Sequence, residues 1–158
     1  FDKSWLPGEK NIVLTVSDLY IVGILSSTIH RQWMHATKNT LKADIAYTHE
    51  TCFQRFPFPQ SVDKKVLEKI RETMGELNSY RNNLMKKNKY GITDLYNQYY
   101  DEPESKLSQI HSRLDQNVLK AYGWMEDDNV LENLLNLNLE ISTKEKKNQN
   151  VVGPWAPT

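Results

Sequence analysis

Leu25–Pro59 reads LSSTIHRQWMHATKNTLKADIAYTHETCFQRFPFP: a helix end turning polar and aromatic, a basic loop, a β-prone run and two Phe-Pro steps. Each proline fixes its own φ and pushes the residue before it into extended geometry. Phe56-Pro57-Phe58-Pro59 is therefore a stiff strap carrying two rings to bury, one on each side of the chain. Such a strap marks a junction, with a new helix starting at Asp63.

Upstream, Asn11–Val16 (NIVLTV) is a β-branched run and reads as a strand. Ser17 offers a cap and Asp18 puts negative charge at the start of a helix that runs to Ala36. Leu19, Ile21, Val22, Ile24 and Leu25 leave that helix no polar face at first, so it is buried. Gly23, Ser26 and Ser27 are small enough for another backbone to approach. Beyond Ile29 the helix emerges, with His30, Arg31, Gln32 and His35 around Trp33. Lys38–Ala46 is loop by composition, and Tyr47–Phe53 reads as a second strand.

Downstream the period changes to that of helices. Asp63–Lys87 carries Leu67, Ile70, Met74, Leu77 and Leu84 at three-four spacing, and Gly91 is a stop signal. A short helix covers Ile92–Tyr100. Pro103 suits the first turn of the next helix, whose stripe is Leu107, Ile110, Leu114, Val118 and Ala121 up to Gly123. Asp127 or Asp128 caps a last helix bearing Val130, Leu131, Leu134, Leu135 and Leu137. These one-sided helices must cover each other's apolar faces. The expected fold is mainly α: short strands and a buried helix in the N-terminal third, then a small antiparallel bundle. Lys144–Asn150 has the composition of a disordered tail.

The motifs resemble a known family. Leu25-Ser26-Ser27-x-Ile29-His30-x-x-Trp33, then Leu41-Lys42-x-Asp44, then Tyr47-Thr48-x-x-Thr51-Cys52-Phe53-x-x-Phe56-Pro57-Phe58-Pro59 is similar to the end of a target-recognition region. The family is the single-chain type IIG/IIL restriction-modification enzymes and their stand-alone DNA-adenine methyltransferase relatives. A second block resembles that family's C-terminal helical domain: Leu95-Tyr96-Asn97, Ile110-His111-x-Arg113-Leu114-Asp115 and Val118-Leu119-Lys120-Ala121-Tyr122-Gly123-Trp124. Order and spacing agree across roughly residues 12 to 140. Gln54-Arg55 departs, standing where many members carry an acidic and a small hydroxyl residue. The resemblance implies a division into 1–60, the end of the recognition region, 61–143, the helical domain, and 144–158, a tail. It also implies a parent that transfers a methyl group from S-adenosylmethionine to adenine N6, with or without a fused nuclease.

The chain itself is expected to do no chemistry. Its six glycines stand at 8, 23, 75, 91, 123 and 153, so no Gly-x-Gly turn exists to hold S-adenosylmethionine. The Phe-Pro strap lacks the Asn/Asp acceptor and adjacent prolines of an amino-methyltransferase loop, and the acid-rich nuclease motif is missing. His30 and His35 lie about 140° apart around a helix, a poor pair of metal ligands. Cys52, in an apolar setting, makes a poor nucleophile.

What remains is contact with double-stranded DNA. Net charge is zero, but residues 1–60 hold six Lys/Arg against five Asp/Glu, residues 61–100 eight against five, and residues 101–143 three against nine. A phosphate-facing surface is thus expected in the front part. The candidates are Arg31, His35, Lys38, Asn39, Lys42 and Arg55, with Arg81, Lys86, Lys87 and Lys89 in the densest basic run. Phosphate contacts position a protein and base-edge contacts specify the site. The partners expected are duplex DNA and the catalytic methyltransferase domain of the same chain, with no membrane. A lone cysteine suits a cytoplasmic location, and the chain, which begins at Phe1, reads as a piece of a longer protein. The alternative is a helical scaffold that docks a protein and never meets DNA.

Overall fold

Ser27 splits the first expected helix in two. The structure, a computed structural model, describes residues 13, 17–37 and 47–153. In it α1 spans Leu19–Leu25 and α2 spans Thr28–Thr37. The Ser27 hydroxyl donates to the Ile24 carbonyl at 2.7 Å and accepts from the His30 amide at 3.4 Å, ending one helix and capping the next. Asp115, far away in sequence, accepts from the Thr28 amide at 2.8 Å and satisfies a second orphan donor of α2. Asp18, rather than the expected Ser17, caps α1 by accepting from the Tyr20 amide.

The β-prone run is not a strand. His49–Gln54 forms one wide π-helical turn, capped by the Thr48 side chain, and no strand occurs among the described residues. A lone strand would leave its amides and carbonyls unpaired. The wide turn satisfies its own and leaves the Thr51 carbonyl to accept from the Trp33 indole at 3.2 Å. It also delivers Cys52 and Phe53 to the interior. The other expected strand, Asn11–Val16, lies outside the described residues apart from Val13.

Phe56, Pro57, Phe58 and Pro59 are all buried. The two rings do not point to opposite sides. They meet edge to face with centroids 5.1 Å apart, because residues two apart on an extended chain share a face. Phe56 also meets His30 at 4.5 Å, and Phe58 meets Phe53 at 6.4 Å. Beyond the prolines, the Tyr122 hydroxyl donates to the Pro57 carbonyl at 3.0 Å, fixing the strap to the C-terminal helices.

The remaining helices are α3 (Lys64–Asn88), α4 (Ile92–Asp101), α5 (Lys106–Tyr122) and α6 (Val130–Lys146). α3 and α5 run antiparallel: Thr73 faces Asn117, Glu76 pairs with Arg113, and Tyr80 lies under the Lys106 ammonium. α1 crosses this pair where Gly23 lets Ile70, Met74 and Leu114 come close. Arg71 holds Asp18 through Nε at 2.8 Å and Nη2 at 2.5 Å, pinning the start of α1 to α3. One core cluster runs from Tyr20 to Leu134.

Several stops and caps differ from expectation. α3 ends on Lys89 in the left-handed region (φ 56°), two residues before Gly91. Pro103 precedes α5, which Ser105 caps. Asn129 caps α6, while Asp128 accepts from the Met125 amide instead. Gly123 ends α5 at φ 73°, with the Trp124 amide reaching back to the Leu119 carbonyl at 3.0 Å. The tail is held as far as Gly153: α6 extends to Lys146, and the Gln60 side chain brackets Val152 with bonds of 2.9 and 3.0 Å.

Candidate nucleic-acid interface

α2 sorts its side chains by face. Ile29, His30 and Trp33 are buried, while Arg31 and His35, one turn apart, are exposed together. Burial pushes the His30 imidazole down to about 4, so it is neutral near pH 7. Its Nε2 meets the Tyr47 hydroxyl at 3.0 Å, and its Nδ1 has no partner among the described residues. His30 and His35 thus face different environments and share no site. Arg55 is exposed just after the wide turn, its carbonyl accepting from Asn138 at 2.7 Å. Lys38, Asn39 and Lys42 lie outside the described residues.

Lys86, Lys87 and Lys89 are exposed at the far end of α3. Among the described residues none of them forms an ion pair, nor do Arg31 and Arg55, whereas Arg71, Arg113 and Lys144 all do. Arg81 belongs with neither group. It is half-buried, donating to the Tyr96 hydroxyl at 3.1 Å and to Asn78.

That contact opens onto a network the basic run alone did not reveal. The Tyr96 hydroxyl meets His111 Nε2 at 2.9 Å. Tyr99 packs on His111 with centroids 5.1 Å apart, and Tyr100 packs on Tyr99 at the same spacing. Arg31 closes the row by donating to the Tyr100 hydroxyl at 3.4 Å. Burial, then the charges of Arg81 and Arg31, lower His111 to about 4. Asp115 is pushed above the usual carboxylate range by burial, opposed by its bond to Thr28 and by Arg31. Arg31 from the N-terminal third and Arg81 from α3 are therefore organised around one neutral imidazole. The sequence signal was present in Tyr96, Tyr99 and Tyr100, clustered at helical spacing on α4.

Two of the described glycines have clear roles in packing and capping. A Cβ on Gly23 would sit 2.6 Å from Ile70 Cγ2, and Gly123 supplies a left-handed cap. Among the described residues no group of three His, Cys, Asp or Glu is placed to hold a metal ion. No helix among them is long and apolar enough to cross a membrane.

Residues 1–60 match the family described as MmeI, target recognition domain. DNA methyltransferase A of Bacillus subtilis (strain 168) is 30% identical over 140 residues, covering 85% of this chain and 15% of that protein. The chain thus spans about 15% of the length of this relative. No solved structure matches it. Both matches agree with the motif reading: the chain is similar to a recognition region of type II restriction-modification enzymes, and the similarity continues past it.

Proposed function

We propose that this chain is the DNA-contacting, non-catalytic C-terminal part of a site-specific DNA-adenine methyltransferase. The observation that carries the reading is the recognition-domain match over residues 1–60, the stretch in which α2 presents Arg31 and His35 exposed. In this reading residues 1–60 end the recognition region, residues 61–143 brace it, and the parent works in the cytoplasm. S-adenosylmethionine and base flipping belong to the parent's catalytic region, which supplies the methyl group to adenine N6. This chain's own residues position duplex DNA. Lys86, Lys87 and Lys89 meet phosphates, while Lys38, Asn39, Lys42, Arg55 and the exposed end of α2 lie nearer the base edges.

The test is duplex binding against salt. Neutralising Lys86, Lys87 and Lys89 to Gln should weaken binding equally for unrelated duplexes and lower the slope of log K on log salt. Alanine at Arg31, Lys38, Asn39, Lys42 and Arg55 together should alter or abolish methylation by the parent without unfolding it. Unchanged site choice and methylation in that variant, with no duplex affinity in the chain, refutes the reading. One observation favours the scaffold alternative: Leu135 and Leu139, one turn apart on α6, are 48% and 66% exposed. That alternative requires the Leu135→Ser/Leu139→Ser variant to lose activity while DNA binding by the chain is nil.

A further inference from the structure

Tyr100 is 66% exposed, yet it is held at both its ring and its hydroxyl. Tyr99 packs against its ring and Arg31 donates to its hydroxyl oxygen. That hydroxyl keeps its own proton, with no acceptor among the described residues. Arg31 has five N–H donors and spends one of them here. Side by side stand a cation with unspent N–H donors and a neutral hydroxyl with one proton to give. The ligand chemistry that fits is an oxyanion.

α4 extends the pattern. Its outer face carries Thr93, Asn97 and Tyr100, exposed at i, i+4 and i+7, while Leu95, Tyr96 and Tyr99 turn inward. The helix begins three residues after Lys89 and ends beside Arg31. Ten residues of helix span about 15 Å, close to four phosphate steps of one DNA strand at about 3.4 Å of axial rise each. α4 therefore joins two basic groups separated in sequence by an uncharged, hydrogen-bonding ridge. Two acids flank its C-terminal end, Asp101 and Glu102, both exposed; Asp94, near its start, is engaged by the Gly91 amide at 3.1 Å.

We propose that Arg31 and Tyr100 form a preset clamp on a phosphodiester oxygen of duplex DNA, and that the outer face of α4 carries the same strand on to Lys86, Lys87 and Lys89. The proposal rests on the DNA-contact reading above and adds α4, absent from the sequence-level candidates. Tyr99, His111 and Tyr96 act as positioning residues behind the clamp.

The experiment is fluorescence anisotropy of this 158-residue chain with two labelled duplexes of unrelated sequence, titrated from about 50 to 200 mM salt. Tyr100→Phe keeps the ring and removes the hydroxyl, and should weaken both duplexes by roughly three- to tenfold. Arg31→Gln should weaken them more and reduce the salt slope by about one. Combined, the two should lose less than the product of the single losses, since they share one phosphate. Asp101→Asn, removing a repelling charge, should tighten binding. All these side chains are exposed, so unchanged circular dichroism and melting should accompany each variant. Tight binding of wild type with Tyr100→Phe and Arg31→Gln unaffected overturns the clamp and leaves the wider DNA reading standing. Absence of duplex binding by wild type even at the lowest salt overturns both.

Discussion

Gly23→Ala tests the packing that mounts the candidate interface. In the middle of a helix this change ordinarily stabilises, since alanine is favoured over glycine by about 1 kcal/mol. Here the new Cβ would lie 2.6 Å from Ile70 Cγ2, 3.4 Å from Leu114 Cδ1 and 3.6 Å from Met74 Cβ. The first contact is too short to keep, and Ile70 is a fully buried β-branched residue with one strongly preferred helical rotamer. Overpacking of this kind costs about 1–3 kcal/mol. The net expectation is a loss of roughly 0–2 kcal/mol, or about 0–8 °C in Tm for a domain of this size. Urea unfolding followed by circular dichroism reads it, with a constant slope confirming two-state behaviour. Ile70→Leu moves the branch from Cβ to Cγ and removes the offending methyl. The double variant should therefore be less destabilised than the sum of the single changes, by at least about 0.5 kcal/mol. Stabilisation by Gly23→Ala with strict additivity in the pair refutes the close approach of α1 and α3.

Acid should expose the Asp18–Arg71 pair. The Arg71 hydrogen bonds hold Asp18 below its unfolded value of 3.8, so its contribution is present above that pH and lost as pH falls through the folded pKa. Urea midpoints between about pH 5 and 2.5 should fall more gently in Asp18→Asn than in wild type, and parallel curves would contradict this. His30 acts at higher pH. Its folded value near 4 lies below the unfolded 6.5, so the unfolded chain binds its proton first and stability declines from about pH 6.5 to about pH 4. His30→Phe should flatten that decline while leaving the His111 part, and an unchanged slope would show that His30 is not buried neutral.

Periodicity reports on neighbours three and four residues apart, and the helices it covers came out within a residue or two. Asp63–Lys87 became Lys64–Asn88, and Ile92–Tyr100 became Ile92–Asp101. The buried α1 and the buried Phe-Pro strap were legible for the same reason: they follow from composition and proline geometry alone. What was not legible depends on distant residues. The break at Ser26-Ser27 needs Asp115, 87 positions after Thr28, to accept the freed amide. The wide turn at His49–Gln54 needs the Trp33 indole on the Thr51 carbonyl. The tail is held because Gln60 stands 92 residues before Val152. For a related reason, spacing cannot tell Arg81, half-buried on Tyr96, from Lys86 and Lys87, which are exposed. Arg31 and Tyr100, 69 residues apart, could not be paired from sequence at all.

The hydrogen bonds around His111 run through the Tyr96 hydroxyl. Arg81 can only donate, so the Tyr96 oxygen accepts from it. The Tyr96 proton is then free for His111 Nε2, which must be a lone pair to receive it. A neutral imidazole with its proton on Nδ1 satisfies both bonds, and so does its tautomer with Nε2–H donating to the second lone pair of Tyr96. Burial and two nearby guanidinium groups favour the neutral ring, since a third cation would be desolvated and repelled. Electrostatics thus select one charge state for His111, and either tautomer keeps Tyr96 bonded between it and Arg81. Tyr99, packed on His111, passes this rigidity to Tyr100 through ring contact. A binding surface built this way loses little side-chain entropy when it engages, because its rings are already fixed. Removing the imidazole at His111 should accordingly loosen Tyr96 first and reach Tyr100 only through packing.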